Sequence, residues 1–436
     1  MFKATFQTPD LTTFCRLDEL GLEAIGQRLE PDRALIECRV AQSDPWCRRC
    51  GAEGIPRDSV VRTLAHEPCG HRSTILKIRI RRFRCSWCRK VWREDTTAAA
   101  PARAKISRAG VRWALEALVI DHLTVSRAAA NLGVSWHTAN TAILDEGKRR
   151  LIDNPNRFDG VTTIGVDEHV WRHTRRGDKY VTVIIDLTPV RERRGPARLL
   201  DMVPGRSKQV FSDWLAARTP IWRSGIEVVA MDGFTEFKTA SKQHLPDAVE
   251  VMDPFHVVQL AGDMLDRVRQ RVQQETLGHR GRRGDPLYAI RKMLRTGEAF
   301  LTERQQARLD AVFADPAHAD VWRAWRVYQQ VVAAYREKYG GLGRKRLREL
   351  IDVLKTTTPT WFVELRKLAY TLDRRRVDIL AYFDHPRTSN WPTEAINGRL
   401  EHLRGSALGF RNLTHYIARS LLEAGGFRPL LHPQFR

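Results

Sequence analysis

Beyond a turn-rich stretch, Ile152-Asp-Asn-Pro-Asn-Arg-Phe-Asp-Gly160, apolar residues gather into short continuous runs. Runs of this kind suit strands of a sheet covered on both faces, and Val183-Ile-Ile185 and Val228-Val-Ala230 show the pattern most clearly. The pattern predicts strands near 161–167, 179–186 and 197–203, a helix near 207–217, and strands near 226–231 and 248–252. Three strands, a helix, a strand, a helix and a strand is the order of a ribonuclease-H-like α/β fold, whose first and fourth strands are neighbours. From His256 to His385 the period changes. Val257, Leu260, Met264, Leu265, Val268 and Val272 recur at helical spacing, as do Trp322, Trp325, Tyr328, Val332 and Tyr335, so an all-helical insertion is expected with that aromatic stripe in its core.

Nearer the amino end, Ile75-Leu-Lys-Ile-Arg-Ile-Arg-Arg-Phe-Arg84 alternates apolar and basic residues with the period of a strand. It leads into Cys85-Ser-Trp-Cys88, the second of two Cys-x2-Cys knuckles; the first is Cys47-Arg-Arg-Cys50. Four thiolates in two such pairs can enclose one tetrahedral zinc ion, which predicts a zinc ribbon carrying Arg79, Arg81, Arg82 and Arg84 as candidate DNA contacts. Whether the ribbon touches DNA or only clips the fold is open. Cys69, His66 and His71 lie between the knuckles as substitute ligands, whereas Cys15 and Cys38 read as core residues.

An Ala/Pro-rich linker, 96–105, precedes a helix and then Leu123 to Ile143, which reads as a helix-turn-helix. Ala129, Leu132, Val134, Ala139 and Ile143 are its expected core, Gly133 its turn, and Ser135 the cap of the second helix. Trp136, His137, Asn140 and Thr141 are then expected to face outward, where a recognition helix meets base edges. The whole is a multidomain α+β chain: a zinc ribbon over 1–100, a helix-turn-helix over 101–155, a ribonuclease-H-like domain over 156–257 and 384–436, and a helical insertion over 258–383.

Composition adds a partner. The 436 residues hold 73 Lys+Arg against 51 Asp+Glu, a net charge of +22. This excess points to a polyanion, and the ribbon and helix-turn-helix make double-stranded DNA the expected one. No apolar run reaches the length of a membrane span, and the opening Met1–Pro9 has no apolar signal core. A cytoplasmic, nucleoid-associated protein is expected.

Three acids stand at the boundaries of predicted elements. Asp167 closes the first strand of the sheet, Asp232 the fourth, and Glu394 opens a helix after Trp391-Pro392, with Asn397, Arg399 and Arg404 downstream. Two strand-end aspartates and a helix-borne glutamate can hold a pair of divalent ions, which act on phosphodiesters by stabilising the attacking and leaving oxygens. Oxygen ligands favour magnesium, with manganese able to serve. The alternatives are a helix cap for Asp232 and a first-turn place for Glu394, and Asp186 and Asp253, which also end apolar runs, are rival ligands.

In this order, ribbon, helix-turn-helix and acidic triad resemble bacterial insertion-sequence transposases of the ISL-three type over nearly the whole chain. The most specific marks are Gly165-Val-Asp-Glu168, Asp253-Pro-Phe-His-Val257, Ser389-Asn-Trp-Pro-Thr-Glu-Ala-Ile-Asn397 and Gly409-Phe-Arg-Asn412. The segment 188–195 departs from the shorter turn of that family. The resemblance implies Asp167, Asp232 and Glu394 as catalytic triad and Cys47, Cys50, Cys85 and Cys88 as zinc ligands. It implies a DNA transposase that binds the inverted-repeat ends of its element, cuts at the boundary and joins the 3′ end to target DNA, as at least a dimer on two ends. A DNA-binding regulator that keeps the fold as scaffold and a metal-dependent nuclease without joining activity are the alternatives.

Overall fold

The computed structural model describes residues 10–174, 179–233 and 235–432, so the opening Met1–Pro9 lies outside the described residues. The chain divides into two units, Met1–Arg157 with Leu403–Arg436, and Phe158–His402.

In the first unit, strands β1 (Leu22–Leu29), β2 (Arg33–Val40), β3 (Gly54–Cys69), β4 (Arg72–Cys85) and β5 (Val91–Arg93) form one sheet in the order β1-β2-β4-β3, with β5 pairing β4. The alternation read in 75–84 is real: Leu76, Ile78, Ile80 and Phe83 are buried, while Arg79, Arg81 and Arg84 are exposed. β3 and β4 make a long antiparallel hairpin in which Gly54 pairs Cys85 at one end and Cys69 pairs Arg72 at the other. At about 3.4 Å per residue its two ends lie roughly 40 Å apart.

Helices α1 (Arg108–Val119), α2 (Val125–Leu132) and α3 (Trp136–Gly147) follow. Thr124 caps α2, accepting from the Arg127 amide at 3.2 Å, and Ser135 caps α3, accepting from Thr138 at 3.2 Å. Between them Gly133 sits at φ +65°, a left-handed turn that costs a residue without Cβ nothing. Leu115, Ala129, Leu132, Ala139 and Ile143 share one core.

The second unit holds a sheet of β6 (Thr163–Val170), β7 (Tyr180–Asp186), β8 (Arg198–Pro204), β9 (Val228–Met231) and β10 (Val249–Met252), in the order β10-β9-β6-β7-β8. β7 is antiparallel to both β6 and β8, while β6, β9 and β10 run parallel. Helices α4 (Lys208–Ala216) and α5 (Thr235–His244) fill the crossovers. Ile164, Val166, Val229 and Met231 face a core with Phe211, Trp214 and Phe237. A fully buried side chain of that size contributes about 1.5–3 kcal/mol. The segment 188–195 begins with a short helix, Thr188–Arg191, ahead of a left-handed turn at Arg193 (φ 59°).

From β10 onward every regular element among the described residues is helical, including α6 (Pro254–Leu277), α7 (Ala319–Arg336), α8 (Gly340–Thr357), α9 (Val363–Arg374) and α10 (Arg376–Asp384). Trp325, Tyr328 and Val332 of the aromatic stripe are buried with Met264, Leu347 and Leu368, whereas Trp322 remains half exposed. On the face of the sheet opposite Phe211, Val228 and Val251 pack against Ala381 of α10. Finally α11 (Trp391–Ser406) carries the chain out of this unit, and α12 (Leu413–Ala424) returns Ala418 and Leu422 to the core shared with Leu115 and Ile143. No helix among the described residues is long and apolar enough to cross a membrane.

Candidate functional site

Strand register brings the first two acids together. β6 lies parallel to β9 with Val166 opposite Met231, so Asp167 and Asp232, the next residues, leave adjacent strands side by side. Alternation turns Ile164 and Val166 into the Phe211 core, which leaves Gly165 and Asp167 on the other face. β6 continues to Val170, so Asp167 lies within a strand rather than at its end.

The third acid arrives on α11, whose entry is locked against the sheet. The Asn390 amide donates to Oδ1 of Asp253 at 3.0 Å, and Thr393 donates to the Asn390 side chain. Gly165 is what permits this approach, since a Cβ there would sit 3.1 Å from Oδ1 of Asn390 and 2.8 Å from Ile185. One turn beyond, the Asn397 side chain donates to Oδ2 of Asp167 at 3.0 Å, and Asp167 also accepts from the Glu168 amide at 2.8 Å. Glu394 and Asn397, three residues apart, share a helix face.

Asp167 shows the electrostatic consequence. Burial, then the charge of Asp232, and more weakly those of Glu168 and Glu394, push its carboxyl up to about 7. Glu394 is raised as well, first by desolvation and then by Asp253. Clustered carboxylates of this kind make a negative pocket that a cation relieves. Among the described residues they are less tightly gathered than the cysteines described below.

The rival acids have other tasks. Asp186 accepts from the Thr188 amide and from Arg198, both at 2.9 Å, beside the strand end where it pairs Ile164. Asp253 is buried and anchors Asn390. Glu168 turns to Arg206, 3.1 Å away. One neighbour was not anticipated from the sequence: Nε2 of His256 lies 3.6 Å from Oδ2 of Asp232. Its signal was present in the spacing Asp253-x-x-His256, one helical turn.

In the first unit, the sulfur atoms of Cys47, Cys50, Cys85 and Cys88 all lie within 4.8 Å of one another, with Cys47 to Cys88 at 3.6 Å and Cys50 to Cys85 at 3.4 Å. Ligand bonds of about 2.3 Å at tetrahedral angles give sulfur separations of roughly 3.8 Å, so the cluster can hold a metal ion. Burial raises the Cys85 thiol, but amides of Trp87 and Cys88, each 3.3 Å from its sulfur, and the neighbouring thiols bring it down to about 6, toward the thiolate a metal requires. The substitutes are excluded by distance, since Cys69 and His71 are at the far end of the hairpin and His66 is buried against Ser107 at 2.8 Å. Cys38 is a core residue, its thiol pushed up to about 12 by burial.

The basic candidates separate. Arg81 binds the buried Glu94 through its amide (2.7 Å) and its guanidinium (2.9 and 2.7 Å), and Arg82 pairs with Asp58. Arg79 and Arg84 stand exposed. On α3, Trp136, His137 and Thr141 are exposed as expected, but Asn140 is not: it is 3 % exposed. The face it occupies turns toward residues 403–419 rather than solvent. Arg399 is exposed on α11 and Arg404 is partly buried.

The transposase family profile of the ISL3 type matches residues 164–420. The transposase for insertion sequence element IS1557 of Mycobacterium tuberculosis is 29% identical over 334 residues, 69% of either chain. That for IS1001 of Bordetella parapertussis is 25% identical over 262 residues, 57% of this chain and 58% of the relative. The Drosophila P element transposase strand transfer complex aligns with 72% of this chain and 91% of that chain at 11% identity and a TM-score of 0.37, a likeness that carries no argument. Since the profile spans more than half of the chain and includes the strands, the acids and the helix that meet around Asp167, the protein belongs to the ISL3-type family of insertion-sequence transposases.

Proposed function

We propose that this chain is a DDE-type DNA transposase that binds the inverted-repeat ends of its element, hydrolyses the phosphodiester at the element boundary and joins the freed 3′ end to target DNA. The observation that carries this reading is the parallel pairing of β6 with β9, which sets Asp167 beside Asp232 in a chain of this family. Residues 156–257 and 384–402 are then a ribonuclease-H-like catalytic domain, interrupted over 258–383 by the helical insertion and preceded by a zinc ribbon and a helix-turn-helix, while 403–436, which the sequence reading gave to the catalytic domain, group with the first unit.

Asp167, Asp232 and Glu394 are the ligands, and their donor set fits hard divalent ions: carboxylate oxygens, of which Asp167 is raised first by burial and then by the charge of its neighbours. Magnesium or manganese bound there supplies activation of the attacking oxygen and stabilisation of the leaving one. Asn397 holds one oxygen of Asp167 in place, leaving the carboxylate fixed in direction, and His256 borders Asp232. Cys47, Cys50, Cys85 and Cys88 hold zinc and pin the open end of the β3–β4 hairpin. His137 and Thr141 read bases from α3, while Arg79, Arg84, Arg399 and Arg404 hold phosphates. Two ends are handled together by at least a dimer, acting on chromosomal DNA in the nucleoid.

The test is incubation of the purified protein with a labelled element end, a target plasmid and magnesium. Joined product supports transposition. Cleavage without joining identifies a nuclease, and binding without either identifies a regulator.

A further inference from the structure

The burial of Asn140 has a counterpart across from it. Asn140 and Trp136, one turn apart on α3, line a cavity of about 610 Å³ whose other wall is residues 403–412 and the start of α12. Arg411, His415 and Arg419 line that wall, and His415 and Arg419 are four residues apart on one helix face. Arg419 is 6 % exposed, and its Nη1 has no hydrogen-bond partner. A buried guanidinium nitrogen left unsatisfied is costly, and a native structure that keeps one calls for a ligand or another explanation. Burial brings its pKa down to about 10, even with Glu423 nearby, and Glu423 is itself bonded to His122 at 2.8 Å.

The loop that closes this cavity is the Gly409-Phe-Arg-Asn412 motif, which the catalytic reading leaves without a role. Leu408 (φ 54°) and Gly409 (φ 92°) turn it, Phe410 packs edge-on against the buried Tyr416 at 5.0 Å, and Asn412 caps α12 by accepting from the His415 amide at 3.1 Å. The motif therefore fixes the beginning of α12, whose free amides add positive potential to a wall already holding two arginines and a histidine. The facing wall is different in kind. Trp136, 50 % exposed, offers a flat indole, and Asn140 offers an amide with both donors and acceptors.

We propose that this cavity receives one unstacked nucleotide of the DNA end, its phosphate against Arg411, His415 and Arg419 and its base on Trp136 within reach of Asn140. A volume of 610 Å³ lies in the range of small-ligand sites. Stacking on an aromatic side chain is worth about 1–3 kcal/mol per base, and a nucleotide already unpaired avoids the cost of extrusion. The proposal rests on the transposase reading for its DNA, but the site lies wholly within the first unit and needs none of the acids.

The test uses the full chain without magnesium and measures anisotropy with two labelled duplexes of equal length, one fully paired and one carrying a single unpaired thymidine. Wild type should prefer the unpaired thymidine by about fivefold or more, as stacking of that strength implies. Trp136→Ala and Arg419→Met should each erase the preference, Arg419→Met should hold the paired duplex as wild type does, and Arg419→Met should melt no lower than wild type because no bond to Nη1 is lost. Thymidine 5′-monophosphate should compete, and inorganic phosphate at the same concentration should not. Equal binding of the two duplexes by wild type, or a preference that survives Trp136→Ala, overturns the proposal. So does an abasic unpaired site held as tightly as thymidine, which would reduce the cavity to a plain phosphate site. Failure of strand transfer with this preference intact would instead count against the enzymatic reading alone.

Discussion

The side-chain amide of Asn397 donates to Oδ2 of Asp167 at 3.0 Å, joining α11 to β6 across 230 residues of sequence. An amide can direct a carboxylate without neutralising it, which is the task of a group standing behind a metal ligand. Asn397→Ala should therefore leave DNA binding intact and lower strand transfer by about 10–100-fold, the usual cost of losing such a partner. Titrating magnesium should show a raised requirement for metal. Wild-type rates at all magnesium concentrations would detach Asn397 from the chemistry.

Asp232→Asn nearly preserves shape and removes one negative charge. Folding and end binding should survive, and metal-free binding should tighten as repulsion of phosphate falls. Cleavage and joining should vanish, because the lost contribution acts on the transition state and cannot be restored by tighter binding. Asp167→Asn and Glu394→Gln should behave alike, and combining them should add little, as for residues acting as one unit. Rates near wild type in Asp232→Asn would remove it from the mechanism.

Removal of the ion from the cysteine cluster should destabilise the first unit, because thiolates 3.4–3.6 Å apart in pairs repel one another once no cation lies between them. Cys85→Ser should lose one equivalent of zinc by elemental analysis and lower the melting temperature. Cys69→Ser should do neither, since Cys69 is at the far end of the β3–β4 hairpin. Zinc retained in Cys85→Ser would refute the ligand assignment.

Arg81 and Arg84, three residues apart on β4, should respond differently to truncation. Arg81→Ala leaves the buried Glu94 carboxylate with the residue 81 amide but no cation, and should cost roughly 2–3 kcal/mol, less than a fully buried pair because that amide remains and Arg81 is itself half exposed. Arg84→Ala should leave stability alone and flatten the salt dependence of DNA binding by about one unit of slope. Equal stability losses in urea unfolding would contradict the distinction.

What the residues disclosed follows from which interactions are local. The apolar runs of β7 and β9 are strands because their side chains alone demand burial on both faces, and the observed bounds lie within about two residues of those expected. The adjacency of Asp167 and Asp232 then follows from strand order. Asn140 was misjudged for the opposite reason: its surroundings are set by α12, whose Ala418 and Leu422 enter the same core from far along the chain. The ion pairs of Arg81 with Glu94 and Arg82 with Asp58 depend on cross-strand register, which alternation in one strand does not reveal. β3, with Pro56 and a mostly exposed outer half, carries no periodic signal, yet it is the longest strand among the described residues.

His66 provides a test by pH. Its Nδ1 lies 2.8 Å from Ser107 Oγ, the residue is 1 % exposed, and Glu67 lies 3.8 Å from Nε2. Desolvation lowers its pKa, more than Glu67 and the Cys15 backbone restore, and Arg16 lowers it further. Below about 6.5 the unfolded chain binds a proton that the folded chain resists, so stability from this group is complete above that pH and is lost as pH falls through it. His66→Asn, whose amide can still meet Ser107, has no such titration. The gap in melting temperature between wild type and His66→Asn should therefore narrow as pH is lowered from about 7.5 to 5.5, in the window set by the unfolded histidine. A gap that stays constant, or widens in favour of wild type, would mean that His66 accepts its proton in the folded protein with Glu67 as counterion.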